Sequence, residues 1–276
     1  MMERPFFIGS NVNMRGGLLQ TISRGIRQLA RGVGHVFRPD READNARVRR
    51  ENPAVRFPPC SLSTAALNHC DNRQYLDSGL AHARFIMQTI RGYSSDQNLV
   101  ICEWGCGPGR IIQHLQSLDN GIARLIGTDC HEASMDWCRE NLPAIEFQTN
   151  GMAPPLLLAT GSIDVVYCCA VFSHLGEPLH HAWISEILRL LRPGGLLIAT
   201  VNGNNLEDRM SGDELAAYRN GSLIVRPEGR EGETGFVSFA GDRFIRDSLF
   251  NRFENITRLD DTPFLQTVWT ATAPAT

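Results

Sequence analysis

The chain has 276 residues, long for one domain and short for two, and its 42% hydrophobic content suffices to bury a core. Its 27 basic residues, all arginine, stand against 30 acidic ones for a formal charge of −3, so the chain as a whole carries no bias toward nucleic acid and has no catalytic lysine. No apolar run reaches the roughly 18 residues of a membrane-spanning helix, and the eight cysteines include no C-x-x-C pair, which leaves a zinc or thioredoxin-like reading without support and makes reduced thiols in a cytoplasmic protein the expectation.

The first 60 residues differ from the rest. From Arg4 to Pro39 there is no acid and there are six arginines. Leu18, Leu19, Ile22, Ile26, Leu29, Val33 and Val36 recur at three- and four-residue steps, with Arg24, Arg27 and Arg31 toward the other side, which suggests an amphipathic helix. Residues 15–38 are then a candidate for peripheral membrane or protein contact. A helix packed on the main domain and a transit peptide are the other readings, and five glycines between 16 and 34 weaken any helix. Pro53, Pro58 and Pro59 mark a linker, and residues 61–276 form the main domain.

A helix is expected over about 73–91. Leu99 to Cys102 reads as a buried strand, followed by a glycine turn and a helix from about 109. A second strand over 124–128 leads to a helix at 132–141, and a short third strand covers 145–147. The fourth strand runs from Ile163 to Cys169, the next helix from about 178 to 192, and Pro193-Gly194-Gly195 stops it before a fifth strand, Leu196–Val201. Apolar strands alternating with helices imply an α/β fold, a mostly parallel sheet covered on both faces. A polar, Gly-rich insertion follows over 203–235, then a helix near 241–250 and strands near 253–259 and 264–271.

The strongest chemical signal is Glu103-Trp104-Gly105-Cys106-Gly107-Pro108-Gly109-Arg110, which leaves a buried strand and opens a helix. Glycines there let backbone approach a ligand at the carboxyl end of the strand. The spacing is G-x-G-x-G rather than the G-x-G-x-x-G of a dinucleotide site, and the acid two residues before it would repel a pyrophosphate while suiting a ligand that carries an ammonium. Asp129 ends the second strand, where a carboxylate can take both hydroxyls of a ribose; an N-cap for the following helix is its structural alternative. Asn150-Gly151 after the third strand can read an adenine edge or simply turn the chain.

Together with Trp137 to Pro143, Val171-Phe172-Ser173-His174-Leu175 and Leu191 to Leu196, these segments resemble class I S-adenosylmethionine-dependent methyltransferases, of the bacterial type associated with glycan or small-molecule pathways. That resemblance implies a Rossmann-like, doubly wound sheet of seven mostly parallel strands, preceded here by the N-terminal helical extension. The cofactor it implies is S-adenosylmethionine. Glu103 would orient the methionine end; Gly105, Cys106, Gly107 and Gly109 would form the turn beneath it. Asp129 would hold the ribose, and Cys130, Asn150, Gly151 and Met152 would frame the adenine, although such families place a larger apolar residue where Cys130 stands. Ala170 and Phe172 would flank the sulfonium and the acceptor mouth.

Methyl transfer is an in-line displacement with a neutral leaving group, so the protein mainly aligns a nucleophile with the methyl group. A hydroxyl nucleophile also benefits from a base, and His174 after the fourth strand is the candidate, with a structural loop histidine as its alternative. Asp213, Glu214 and Tyr218 of the insertion are candidates for acceptor contact or plain solvated residues. A small molecule or glycan, methylated at oxygen, is the expected acceptor, and nucleic acid is not expected. A non-catalytic protein of the same fold and a nicotinamide-dependent oxidoreductase are the competing readings.

Overall fold

The computed structural model describes residues 39–233 and 235–275, with side chains from 41 onward. The fold described is that of one compact unit, Asp44–Thr276. The amphipathic segment at 15–38 lies outside the described residues. Residues 44–60, grouped with the extension on composition, belong to the same compact unit as the sheet.

Helix α1 (Pro39–Glu51) leads to α2 (Cys60–Leu67) and α3 (Asn72–Tyr93). The buried Asn45 side chain ties this lead-in together, donating to the Cys70 carbonyl at 3.2 Å and accepting from the Asn72 amide at 2.8 Å. Asn68 caps α2 in the left-handed region and turns the chain back, which places Cys70 beside Cys60 with Cα atoms 5.0 Å apart in a disulfide. The expectation that every thiol is reduced is therefore corrected at this pair. Its cause is a local chain reversal that spacing alone does not encode. The other six cysteines are free.

The core alternates as the sequence predicts: β1 (Leu99–Trp104), α4 (Ile112–Leu118), β2 (Ile122–Asp129), α5 (Glu132–Asn141), β3 (Glu146–Thr149), β4 (Ile163–Cys168), α6 (Glu177–Leu190) and β5 (Leu191–Val201). The seven-stranded sheet has the order β3-β2-β1-β4-β5-β9-β8. Strand β9 (Thr267–Thr272) runs antiparallel to both β5 and β8 (Glu254–Leu259), and the pairings among β1 to β5 are parallel. Period-2 alternation divides the core. Leu99, Ile101, Val165, Tyr167, Leu196 and Ile198 pack with α3, α4 and α5 on one face, whereas Cys102, Trp104, Val166, Cys168, Leu197 and Ala199 pack with α6 on the other. From β1 the chain winds outward through β2 and β3, then returns to β4 and β5 on the other side. The carboxyl ends of β1 and β4 thus flank the topological switch point, where such sheets bind ligands.

The insertion is structured rather than open loop. A 3₁₀ segment (Asn204–Arg209), α7 (Gly212–Arg219) and an antiparallel hairpin of β6 (Ile224–Pro227) with β7 (Phe236–Phe239) fill it. A short helix (Asp242–Phe244) continues into a π-helical turn (Ile245–Leu249). No helix among the described residues is long and apolar enough to cross a membrane.

Candidate active site

The loop after β1 is built from backbone. Gly105, Gly107 and Gly109 have φ of 76°, 49° and 72°, which glycine alone adopts at little cost. A Cβ on Gly105 would sit 2.2 Å from Val171 Cγ2, and one on Gly109 would sit 2.7 Å from Leu142 Cδ1. From outside, Tyr75 of α3 donates its hydroxyl to the Pro108 carbonyl at 2.8 Å. Arg110 donates to Ser78 Oγ and His82 Nδ1, both at 3.1 Å. Burial, reinforced by the Arg110 charge, lowers the His82 pKa to about 4, so this ring is neutral near pH 7.

Two acidic side chains lie on the inner side of the loop, and Asp129 holds it. Asp129, ending β2, accepts the Gly107 amide at Oδ2 and the His131 amide at Oδ1, both at 2.8 Å. It does not cap α5, whose N-cap residue His131 makes no side-chain capping bond. Each Asp129 oxygen retains a lone pair beyond its one backbone bond. Glu103 is only 2% exposed. Its Oε2 accepts the Tyr167 hydroxyl at 2.9 Å and the Ile112 amide at 3.2 Å, so the charge expected to face a ligand lies beneath the loop against the start of α4. Burial pushes its pKa up to about 8, against the hydrogen bond from Tyr167.

Asn150 receives its place from its own amide, which donates to the Asp129 carbonyl at 3.0 Å. Its side-chain nitrogen donates to the Gly151 carbonyl at 2.7 Å. Among the described residues its buried Oδ1 has no partner, an orphaned acceptor of the kind an adenine amine satisfies. Cys130, Gly151 and Met152 are exposed nearby in sequence, and the Met152 carbonyl accepts the Trp183 indole N–H at 2.8 Å. Ala170, after β4, is exposed, has φ 60° and donates its amide to Thr200 Oγ1 at 2.8 Å. Beyond it a 3₁₀ turn (Phe172–His174) carries the histidine. The His174 Nδ1 lies 2.9 Å from the Phe236 carbonyl on β7. A carbonyl only accepts, so Nδ1 carries the proton and Nε2 is the basic nitrogen.

Two further side chains of the implied site lie in the core. Phe172 is fully buried, with its ring 5.1 Å from both Trp104 and His180. The 3₁₀ turn rotates it into the core, where its apolar area is removed from water. Cys106 is likewise buried, its thiol directed to the Gly107 carbonyl; burial raises its pKa well above the ordinary thiol value, so it is not a nucleophile. In the insertion, Glu214 forms a capping box with Ser211 and pairs with Arg226 at 2.8 Å. Tyr218 is buried and donates to Asn204 Oδ1 at 2.8 Å. Neither is free to contact an acceptor.

Sequence reasoning missed a polar network between the ends of β4, β5 and β9. Thr200 Oγ1 donates to Gln266 Oε1 at 2.6 Å, Gln266 Nε2 donates to Asn202 Oδ1 at 3.0 Å, and Asn202 Nδ2 donates to the Ser238 carbonyl at 3.1 Å. A hydroxyl inside the otherwise apolar run Leu196–Val201 was its one visible signal; nothing in the sequence marked Gln266.

Residues 101–195 match the family described as "Methyltransferase domain". A probable S-adenosylmethionine-dependent methyltransferase of Mycolicibacterium smegmatis is 33% identical over 103 residues, covering 37% of this chain and 38% of that protein. The trans-aconitate 2-methyltransferase of Azoarcus sp. is 28% identical over 130 residues, 46% of this chain and 48% of its own. The chain thus spans less than half the length of these curated relatives. In three dimensions it is similar to the S-adenosylmethionine-bound amino pentose methyltransferase of Micromonospora echinaspora, with a TM-score of 0.54 at 16% identity, over 79% of this chain and 98% of the other. The fold is that of the class I methyltransferases.

Proposed function

We propose that this protein transfers the methyl group of S-adenosylmethionine to a hydroxyl of a small-molecule or glycan acceptor. The observation that carries the reading is the loop of three left-handed glycines at the switch point, tied through Gly107 to the carboxylate of Asp129. The named activities of the relatives, trans-aconitate methylation among them, support methyl transfer and a small acceptor. The donor set fits the cofactor: a side-chain-free backbone cradle, a ribose-facing carboxylate with spare lone pairs, and the unpartnered acceptor of Asn150 for an adenine amine.

When bound, S-adenosylmethionine supplies a methyl group on a positively charged sulfur whose departure is neutral. In this reading Gly105, Gly107 and Gly109 admit the methionine end against bare backbone, Asp129 holds the ribose and Asn150 reads the adenine. Cys130, Gly151 and Met152 frame the base, and Ala170 borders the methyl group. Glu103 acts from below, fixing the start of α4 and, once ionised, favouring a cation above the loop. His174, its Nδ1 committed to the Phe236 carbonyl, would take the proton of an acceptor hydroxyl at Nε2. Alignment supplies most of the rate and the base a further contribution.

Purified protein incubated with isotopically methyl-labelled cofactor and a panel of hydroxylated small molecules tests this. Label appearing in an acceptor, with S-adenosylhomocysteine released in equal amount, is the expected result. Cofactor binding without transfer to any acceptor would instead support a non-catalytic protein of this fold.

A further inference from the structure

A cavity of about 470 Å³ opens along the carboxyl end of β8 and the start of β9, walled by Asn204, Asn205, Asp261, Phe264, Gln266 and Thr267 among others. Two links join it to the candidate cofactor site. Gln266 accepts the hydroxyl of Thr200, which in turn accepts the amide of Ala170. Phe264 stacks on His82 at 3.9 Å between ring centres, and His82 is held by Arg110 of the glycine loop. A molecule in this cavity is therefore two side chains from the residue that borders the methyl group.

The walls define a chemistry. Asn205 accepts Thr267 Oγ1 at 3.1 Å and donates to the Leu265 carbonyl, and Asn204 receives Tyr218. The amides are thus fixed in place yet each keeps unused donors or lone pairs, a wall suited to hydroxyl groups. The charge is lopsided. Arg258, also on the wall, is engaged by Asp242 at 2.6 Å and by Asp260 at 3.8 Å. Asp261 makes no ion pair among the described residues and is exposed on the rim. It is held at a φ of 52°, a left-handed conformation outside glycine's usual monopoly. One neutralised guanidinium against an unpaired carboxylate repels a polyanion and attracts a cation.

We propose that this cavity is the acceptor site and that it takes a polyhydroxylated amine, whose ammonium pairs with Asp261 and whose hydroxyls meet the amides of Asn204, Asn205 and Gln266. The proposal rests on the methyltransferase reading for its purpose, but its binding chemistry stands apart from it. Polycarboxylates of the trans-aconitate kind are disfavoured here.

Binding can be read by ligand-observed NMR on the whole protein, using amino pentoses and amino hexoses, their N-acetylated forms, and citrate as a polycarboxylate. The free amines are expected to bind, N-acetylation to weaken them about two- to fivefold, and citrate neither to bind nor to compete. Asp261→Asn, whose side chain tolerates the left-handed backbone, is expected to weaken the amines about two- to fivefold while cofactor affinity stays unchanged. Citrate binding in competition with the amines, no amine binding, or amine binding indifferent to Asp261→Asn would overturn the proposal. Cofactor titration in the same samples separates this from failure of the methyltransferase reading, which would show as amine binding without cofactor binding.

Discussion

The two halves of the sheet's carboxyl edge are built from different materials. Over β1 and β2 the site is backbone: three glycines with positive φ, braced by Asp129 below and by Tyr75 above. Over β5, β8 and β9 it is side chain: Thr200, Gln266 and Asn202 joined into a chain of hydrogen bonds, with Asn205 and Thr267 bonded to each other. A backbone cradle accepts one shape and resists substitution. A side-chain network can be re-specified residue by residue on the same scaffold. The physical division fits a half that meets one invariant cosubstrate and a half that meets a variable acceptor.

Substitutions can break that division, beginning where the effect should be largest. Gly105→Ala forces a Cβ into a left-handed backbone and against Val171. Stability is expected to fall by about 2 kcal/mol or more, with cofactor binding lost. Gly161→Ala is the control: the same left-handed φ (64°) with nothing within 4 Å should cost about 1 kcal/mol and leave cofactor affinity intact, as thermal melts and calorimetry will show. His174→Ala should slow turnover about a hundredfold with little change in cofactor affinity; full activity would remove it as the base.

Asp129→Ala should weaken cofactor binding by roughly 1–3 kcal/mol, through lost ribose contacts and a freed Gly107 amide. Unchanged affinity in calorimetry would take Asp129 out of the site. At Glu103 the readout is pH. Its folded pKa, about 8, lies above the ordinary 4.5, so between those values the folded state keeps a proton the unfolded state has lost. Its contribution to stability therefore declines as pH rises through that window. Glu103→Gln should remove the decline, gaining on the parent protein toward alkaline pH in denaturant melts. Because the ionised form favours a cation, cofactor affinity of the parent should rise up to about tenfold from about pH 7 to about pH 8.5, and the Gln variant should lose that slope.

The same division governs what could be read before the structure. Parallel strands buried on both faces appear as apolar runs, so the starts of the strands at Leu99 and Ile163 and the α5 bounds were legible, as were the glycines, whose spacing directly encodes backbone conformation. Residue facing at strand ends was not. The resemblance implies Phe172 at the acceptor mouth, but the 3₁₀ turn there breaks period 2 and rotates it inward. The Glu103–Tyr167 bond joins residues 64 apart through neighbouring strands, and periodicity says nothing of such partners. The hairpin of β6 and β7 hid in a polar, Gly-rich stretch because its strands are four residues long and partly exposed. Likewise the Cys60–Cys70 pair and the Thr200–Gln266 network depend on how chain segments return to each other, which composition does not carry.

Calorimetric titration of the full chain with S-adenosylmethionine and S-adenosylhomocysteine tests the central claim most directly. The account predicts a single saturable site for both compounds, abolished in Gly105→Ala and retained in Asp261→Asn. A chain that binds neither compound at millimolar concentration, or that binds them equally well with alanine at 105, would contradict it.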